Sequence, residues 1–360
     1  MTRIDNPFDL FDEHNRRTHR ISPISGESTL FVKFDKLDKR LTELAAHLDD
    51  IELHRRQGLL ALVTGPEKSG RTAVIDWAHE RLSGKIKFTN ETEWQRYNAV
   101  DLSNRTDIPA VHDKDERAHE IRRSIREIYH GIVQQSQRNP LTVSVAESLR
   151  KLFTVHARRE AEIMDEAARC YDRISERLEF YHSILVITFP PNTPAFLIEA
   201  FSRLVRPRMI YLMEHNLDTA PPKLRTEVPT LTTLQVLDES DRIKFLQSRV
   251  KPRKDRRFPI FDDDTILDIA KGMDLAAPVG MLNATYRQAC EHIIRRHRSP
   301  EPPVVRSSEF LGIVARAKEA MGVNLLEGEP DGRPSAANSP SSLLQDFARS
   351  DFRERKGEPT

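Results

Sequence analysis

The chain has 360 residues, long enough for a sizeable core and for two folded parts with tails. Lys and Arg number 56 against 55 Asp and Glu, so no global field draws the protein towards nucleic acid. With 38% hydrophobic and 31% charged residues, solvated helix faces and some unstructured chain are expected, and the two cysteines, Cys170 and Cys290, give no disulfide framework and no Cys-based zinc site.

Residues 1–10 carry Asp5 and Asp9 and no apolar run, unlike a signal peptide. No segment approaches the roughly 18 apolar residues of a membrane span, so a soluble, cytoplasmic protein with no membrane contact is expected. Residues 1–30 read as polar and irregular, with turn signals at Asn6-Pro7-Phe8 and Ser22-Pro23. Leu37, Leu41, Leu44, Ala45, Leu48 and Ile51 recur at helical spacing and predict one amphipathic helix over Lys36–Leu53. The run Leu59–Val63 predicts a buried strand that stops at Thr64-Gly65-Pro66, and Thr72–Leu82 returns to helix.

Tyr97–Leu102 is a second, weaker strand. A long charged stretch, 113–178, follows with two helical faces, one through Ile121, Ile125, Ile128, Tyr129 and Ile132, the other through Ile163, Ala167, Tyr171, Ile174 and Leu178. Ser183–Thr188 is the clearest buried strand, closed by Pro190-Pro191. Phe196–Leu204 reads as helix, Met209–Met213 as a fourth strand and Thr232–Leu237 as a fifth. Strands alternating with helices predict an α/β fold, a parallel sheet flanked by helices. Helices over Asp241–Val250, Asp263–Lys271 and Leu282–Arg295 then build a small all-helical part. The expected organisation is an irregular segment over 1–30, a nucleotide-binding domain over 31–237 with a helical insertion at 113–178, a helical lid over 238–298, a helical extension over 299–326, and a flexible Pro- and Ser-rich tail over 327–360. Within that tail, Leu343–Phe352 has the apolar residues of one docking helix.

The motif that carries chemistry is Gly65-Pro66-Glu67-Lys68-Ser69-Gly70-Arg71-Thr72, a G-x-x-x-x-G-x-[ST] frame between a buried strand and a helix. Glycines let backbone N–H groups turn inward around phosphate oxygens, and the helix amino terminus adds positive potential. Thr72 offers a hydroxyl for Mg²⁺, which makes ATP or ADP with Mg²⁺ the expected cofactors. Arg71 stands where the motif expects Lys; it keeps the charge in a bulkier planar fork. Lys68, inside the loop, is a second ammonium donor. The same frame also describes a strand–turn–helix corner with coincidental glycines.

With this loop and strand order, residues 30–297 resemble an AAA+ ATPase of the broad group that includes the origin-recognition and transposition-type ATPases. Asp238–Val250, Phe258–Ile266 and Pro278–Ala289 are similar to that family's helical lid. The resemblance implies a nucleotide held between loop and lid, and an acidic pair after the third strand, one carboxylate for Mg²⁺ and one for the attacking water. Here Thr188-Phe189-Pro190 follow the third strand, so neither carboxylate is present. Glu214, His215 and Asn216 end the fourth strand, where the family places a polar γ-phosphate sensor. Asn216 fits that role, and Glu214 is a candidate replacement carboxylate, although a plain strand-end turn accounts for all three. Lys223 and Arg225 are the basic candidates for a finger into a neighbouring subunit; a solvated loop is the plainer reading. The lid arginine expected near Pro278 is replaced by Val279 and Gly280, and Arg287 reads as a surface residue.

The 13 His residues show no metal-ligand spacing. Basic clusters at Arg122-Arg123, Lys251–Arg257 and Arg295–Arg298 leave nucleic acid open as a partner, with Asp255 and Asp262–Asp264 diluting the second. Three functions follow: a nucleotide-binding switch or scaffold with impaired or absent hydrolysis acting on a protein partner or within a homo-oligomer; an active ATPase with a displaced carboxylate; and a nucleotide-free interaction protein.

Overall fold

The apolar runs at 59–63, 183–188 and 209–213 form the middle of a five-stranded sheet whose strands all run parallel. In this computed structural model the described residues are 4–8, 35–85, 96–102, 113–136, 159–216, 231–234, 237–251, 257–272 and 278–325. They fall into two compact units, Arg20–Gln235, and Met1–His19 together with Val236–Thr360.

The first unit contains strands β1 (Leu59–Gly65), β2 (Arg96–Asp101), β3 (Ser183–Thr188), β4 (Met209–Asn216) and β5 (Leu231–Thr233) in the order β2-β3-β4-β1-β5. Its helices are α1 (Asp35–Asp49), α2 (Ile51–Gln57), α3 (Arg71–Lys85), α4 (Lys114–Ser136), α5 (Glu160–Phe180) and α6 (Ala195–Ser202). Because side chains alternate along a strand, each apolar run serves both faces of the sheet. Leu59, Ala61 and Val63 of β1, with Ile184, Val186, Ile210 and Leu212, pack against Leu41, Leu44 and Leu48 of α1 and Val74, Ala78 and Leu82 of α3. Leu60, Leu62, Leu185, Ile187, Met209, Tyr211 and Met213 point the other way, into Ile121, Ile125 and Ile128 of α4, Ala167, Tyr171 and Ile174 of α5, and Leu197 and Phe201 of α6. Burying two faces of the central strands explains why the runs are continuous rather than alternating.

Two elements differ from the sequence expectation. The single helix predicted over Lys36–Leu53 is broken at Asp50, whose side chain accepts from the Leu53 N–H at 2.9 Å and starts α2. An N-capping carboxylate outweighs a continuous apolar stripe at this point. β5 is shorter than the predicted 232–237, and its pairing with β1 ends at Thr233.

In the second unit, α7 (Glu239–Val250), α8 (Asp263–Gly272), α9 (Val279–Arg296) and α10 (Ser307–Leu325) pack together. Asp238 caps α7 through the Asp241 N–H at 3.0 Å, and Asp262 accepts from Thr265 N–H at the start of α8 at 2.7 Å. A single parallel bridge joins Ile260 to Val304. The core is aromatic: Phe245, Tyr286 and Phe310 are fully buried, and so is Phe8. Phe8 is held here by contacts to Phe245 and Tyr286, which the turn signal at Asn6-Pro7-Phe8 did not reveal.

Gly58 joins α2 to β1 at φ +72°, and a Cβ there would lie 2.2 Å from the Arg206 carbonyl oxygen. Gly58→Ala is therefore expected to lower the unfolding free energy by more than about 1 kcal/mol, read from urea denaturation. Next to it His54 is buried, and its Nε2 lies 2.9 Å from the His47 carbonyl oxygen, which only accepts, so Nε2 carries the proton. Burial lowers the His54 pKa below its ordinary 6.5, partly opposed by the His47 carbonyl and by Asp50. The unfolded chain thus takes up a proton that the folded one resists. The contribution of His54 to stability is complete above pH 6.5 and is lost as pH falls through the lowered value. Denaturation midpoints measured between pH 7 and pH 5 should decline, and His54→Gln should remove part of that slope.

Candidate phosphate-binding site

The carboxyl ends of parallel strands are where open α/β sheets bind ligands, because helix amino termini and connecting loops converge there. β1 lies inside the sheet between β4 and β5, so the loop at its end, Gly65–Gly70, opens beside the ends of both neighbours. Lys68 at φ 62° and Gly70 at φ 90° give the loop its reversal. The Ser69 N–H donates to the Pro66 carbonyl at 3.2 Å, and α3 begins at once with Arg71. Gly65 must stay a glycine: a Cβ would fall 2.5 Å from Ser69 Oγ and 3.0 Å from Leu234 Cβ.

Three features of this loop bear on what it could hold. The first turn of α3 carries no acidic side chain, so nothing opposes an anion at its N–H groups. The Ser69 hydroxyl is buried without a hydrogen-bond partner in the protein, aimed at no acceptor of its own. The Thr72 hydroxyl is paired with a carboxylate: it donates to Glu214 Oε2 at 2.9 Å.

Glu214 is the residue on which the site turns. It lies on β4 opposite Val63 in register and is only 4% exposed. Its second oxygen accepts from the Asn192 N–H at 3.1 Å. Asn192, at φ 56° in the Pro190–Pro194 turn between β3 and α6, receives Arg71 Nη2 on its side-chain oxygen at 2.6 Å. Arg71, buried, also donates through Nη1 to the Gly65 carbonyl at 3.0 Å. The four residues Thr72, Glu214, Asn192 and Arg71 close a circuit from the start of α3 through β4 and the β3–α6 turn back to the loop. The same turn is fastened to β4 twice more, by Thr193 N–H to the Glu214 carbonyl at 2.9 Å and by His215 Nδ1 to the Thr193 carbonyl at 3.0 Å.

The fork of Arg71 accounts for arginine in place of lysine, since one planar group spans two acceptors on different elements. Asn192 is the residue that sequence reasoning missed; the signal was a Pro-Pro-Asn-Thr-Pro turn at a strand's carboxyl end, with an Asn that tolerates the left-handed region. Asn216 pairs in register with Gly65 at the end of β4. Lys68 is half-buried in the loop, and Pro66 fixes its first turn. Lys223, Arg225 and residues 252–256 lie outside the described residues.

Thr188, the last residue of β3, and Phe189, the next, hold no carboxylate. Phe189 is buried against Phe201 and Tyr211, with ring centroids 4.7 and 5.7 Å away. Thr188 is buried, with its hydroxyl 3.3 Å from His79 Nδ1 on α3. Among the described residues no group of three or more His, Cys, Asp and Glu could hold a metal by itself. No described helix is long and apolar enough to cross a membrane.

The strand order, the all-parallel pairing and the glycine loop between β1 and α3 define an α/β module, a parallel sheet flanked by helices with a glycine loop at the carboxyl end of an inner strand. No family model matches the sequence, and no curated protein matches it. Among solved structures the chain is similar to the Orc1 protein of Aeropyrum pernix in complex with DNA, at 14% identity and TM-score 0.46 over 92% of this chain and 81% of that one. It is also similar to the Aeropyrum pernix ORC2 protein in its ADPNP–ADP complexes, at 12% identity and TM-score 0.46 over 99% and 86%. A third similarity is to the HORMA:CdnC:Trip13 complex of Escherichia coli MS115-1, at 12% identity and TM-score 0.45 over 81% of this chain and 90% of that one. These likenesses are loose, and the architecture rests on the strand order and the loop.

Glu214→Ala removes the acceptor for both the Thr72 hydroxyl and the Asn192 N–H. It should cost about 2–3 kcal/mol in urea unfolding, while Glu214→Gln, which keeps one acceptor oxygen, should cost about 1 kcal/mol.

Proposed function

We propose that the protein is a nucleotide-binding switch that takes ATP or ADP with Mg²⁺ and hydrolyses it slowly or not at all. The observation that carries this reading is the Thr72–Glu214 hydrogen bond beneath a glycine loop with an orphaned serine hydroxyl. Backbone N–H groups of the loop and the first turn of α3 would bind the phosphates, with Ser69 as a further donor and Lys68 as a counter-charge. The Thr72 hydroxyl and the Glu214 carboxylate would hold Mg²⁺, which would neutralise charge on the phosphates when bound. Arg71 acts from behind the loop, where its bonds to Gly65 and Asn192 set the position of the β1 end against the β3–α6 turn.

Slow hydrolysis follows from what is missing. Glu214 is committed to Thr72 and Asn192, the metal side of an acidic pair, and Phe189 cannot orient a water. The partner of such a switch would be another protein or a second copy of the chain, with α4 and α5 as the extra surface. Nucleic acid is a further candidate through the exposed Arg295, Arg296 and Arg298 at the end of α9. The Glu214 carboxylate also favours one other reading, an ATPase whose displaced acid serves both roles.

Calorimetry with ATP and ADP, with and without Mg²⁺, tests the binding. Saturable binding is expected for the wild type and none for a Gly70→Asp, Thr72→Ala double variant. Removing Mg²⁺ should weaken wild-type ATP binding about tenfold, worth about 1.4 kcal/mol, and Glu214→Gln should erase that difference. Phosphate release that depends on Mg²⁺ and vanishes in Glu214→Gln would support the enzyme reading, and no nucleotide binding by folded wild type would overturn both.

A further inference from the structure

Four consecutive residues, 5–8, occupy the helical unit in the manner of a bound peptide. The Asp5 N–H donates to the Arg257 carbonyl at 2.8 Å. Asn6 Nδ2 donates to the Arg287 carbonyl on α9 at 2.6 Å, and Asn6 Oδ1 accepts the Phe8 N–H at 3.0 Å, so one side chain both anchors the segment and folds it. Asn283 Nδ2, one turn earlier on α9, donates to the Phe8 carbonyl at 3.1 Å. Pro7 is buried, and the Phe8 ring, with no exposed surface, sits 6.3 Å from Phe245 of α7 and 5.4 Å from Tyr286 of α9.

An aromatic anchor fills a pocket of rings, and around it side-chain amides read main-chain carbonyls in both directions, from segment to helix and from helix to segment. That is the division of labour of a peptide-recognition groove, where a buried aromatic supplies affinity and directed polar contacts supply register. Asn283 faces solvent-independent work as well: its Oδ1 is buried and unpaired, so its amide is oriented by the Phe8 carbonyl. Arg287, expected on the surface, is half-buried under Asn6.

We propose that α7 and α9 form a docking groove for an Asn-Pro-Phe segment, and that residues 5–8 are its resident, exchangeable occupant. In sequence, 26 residues separate Phe8 from Asp35, the first residue of α1. The segment and the groove belong to one chain, so the docking is intramolecular. A segment of the same chemistry on another molecule, or on a second copy of this chain, then competes for the groove only when the resident is released. The groove is independent of the phosphate site in its residues, so nucleotide binding and strap docking can fail separately.

The test uses the full chain with Asn6→Ala and Phe8→Ala, and a fluorescent peptide spanning residues 1–12. The peptide should bind the double variant saturably, bind the wild type at least about tenfold more weakly because the groove is filled, and lose binding when its own Phe8 is alanine. A folded double variant that ignores the peptide, or a wild type that binds it equally well, would show that Phe8 is core and nothing more. Should the double variant fail to fold, Asn6→Ala alone keeps the aromatic anchor while removing the bond to Arg287. It should bind the peptide more tightly than wild type does, and equal binding by the two would overturn the proposal.

Discussion

The hydrogen bond from Thr72 to Glu214 is the constraint from which the rest of the site follows. A carboxylate with 4% of its surface exposed is costly unless every oxygen is served, and here one oxygen takes the loop's threonine while the other takes the Asn192 N–H. Serving the second oxygen forces the β3–α6 turn close to β4, with Asn192 in the left-handed region. The turn's side-chain oxygen then receives Arg71, which returns to the first carbonyl of the loop. Each member is fixed by the next, so the loop's shape is set by the protein itself.

The acid of this arrangement stands on β4. Glu214 lies against the Pro190–Pro194 turn, which gives it the Asn192 N–H on its side chain and the Thr193 N–H on its carbonyl. Adjacent parallel strands end side by side, with Thr188 in register with Leu212, so a carboxylate two residues further along β4 lies level with the turn that follows β3.

Much of the fold could be read from the chain because the central strands bury both faces. Runs such as Leu59–Val63 and Ile184–Ile187 have no polar interruptions to confuse, and glycines mark where β1 stops. Residues whose roles depend on one particular hydrogen-bond or ring partner were hidden. Asp50 breaks a helix whose apolar spacing is continuous, Asn192 looks like any turn asparagine until Glu214 and Arg71 flank it, and Phe8 lies in a polar stretch with no periodicity at all. Glu214 was visible as a residue type but its burial was not, since a strand end in sequence does not say which neighbour closes over it.

Phe189 bears on which side chains the end of β3 can accept. Its ring is part of an edge-to-face trio with Phe201 and Tyr211, the packing that holds α6 against the sheet. A glutamate substituted there would trade that packing for an unpaired carboxyl in apolar surroundings, at a cost of several kcal/mol. The aromatic trio therefore holds position 189 by packing, and a carboxylate cannot be installed there by one substitution without loosening α6 from the sheet.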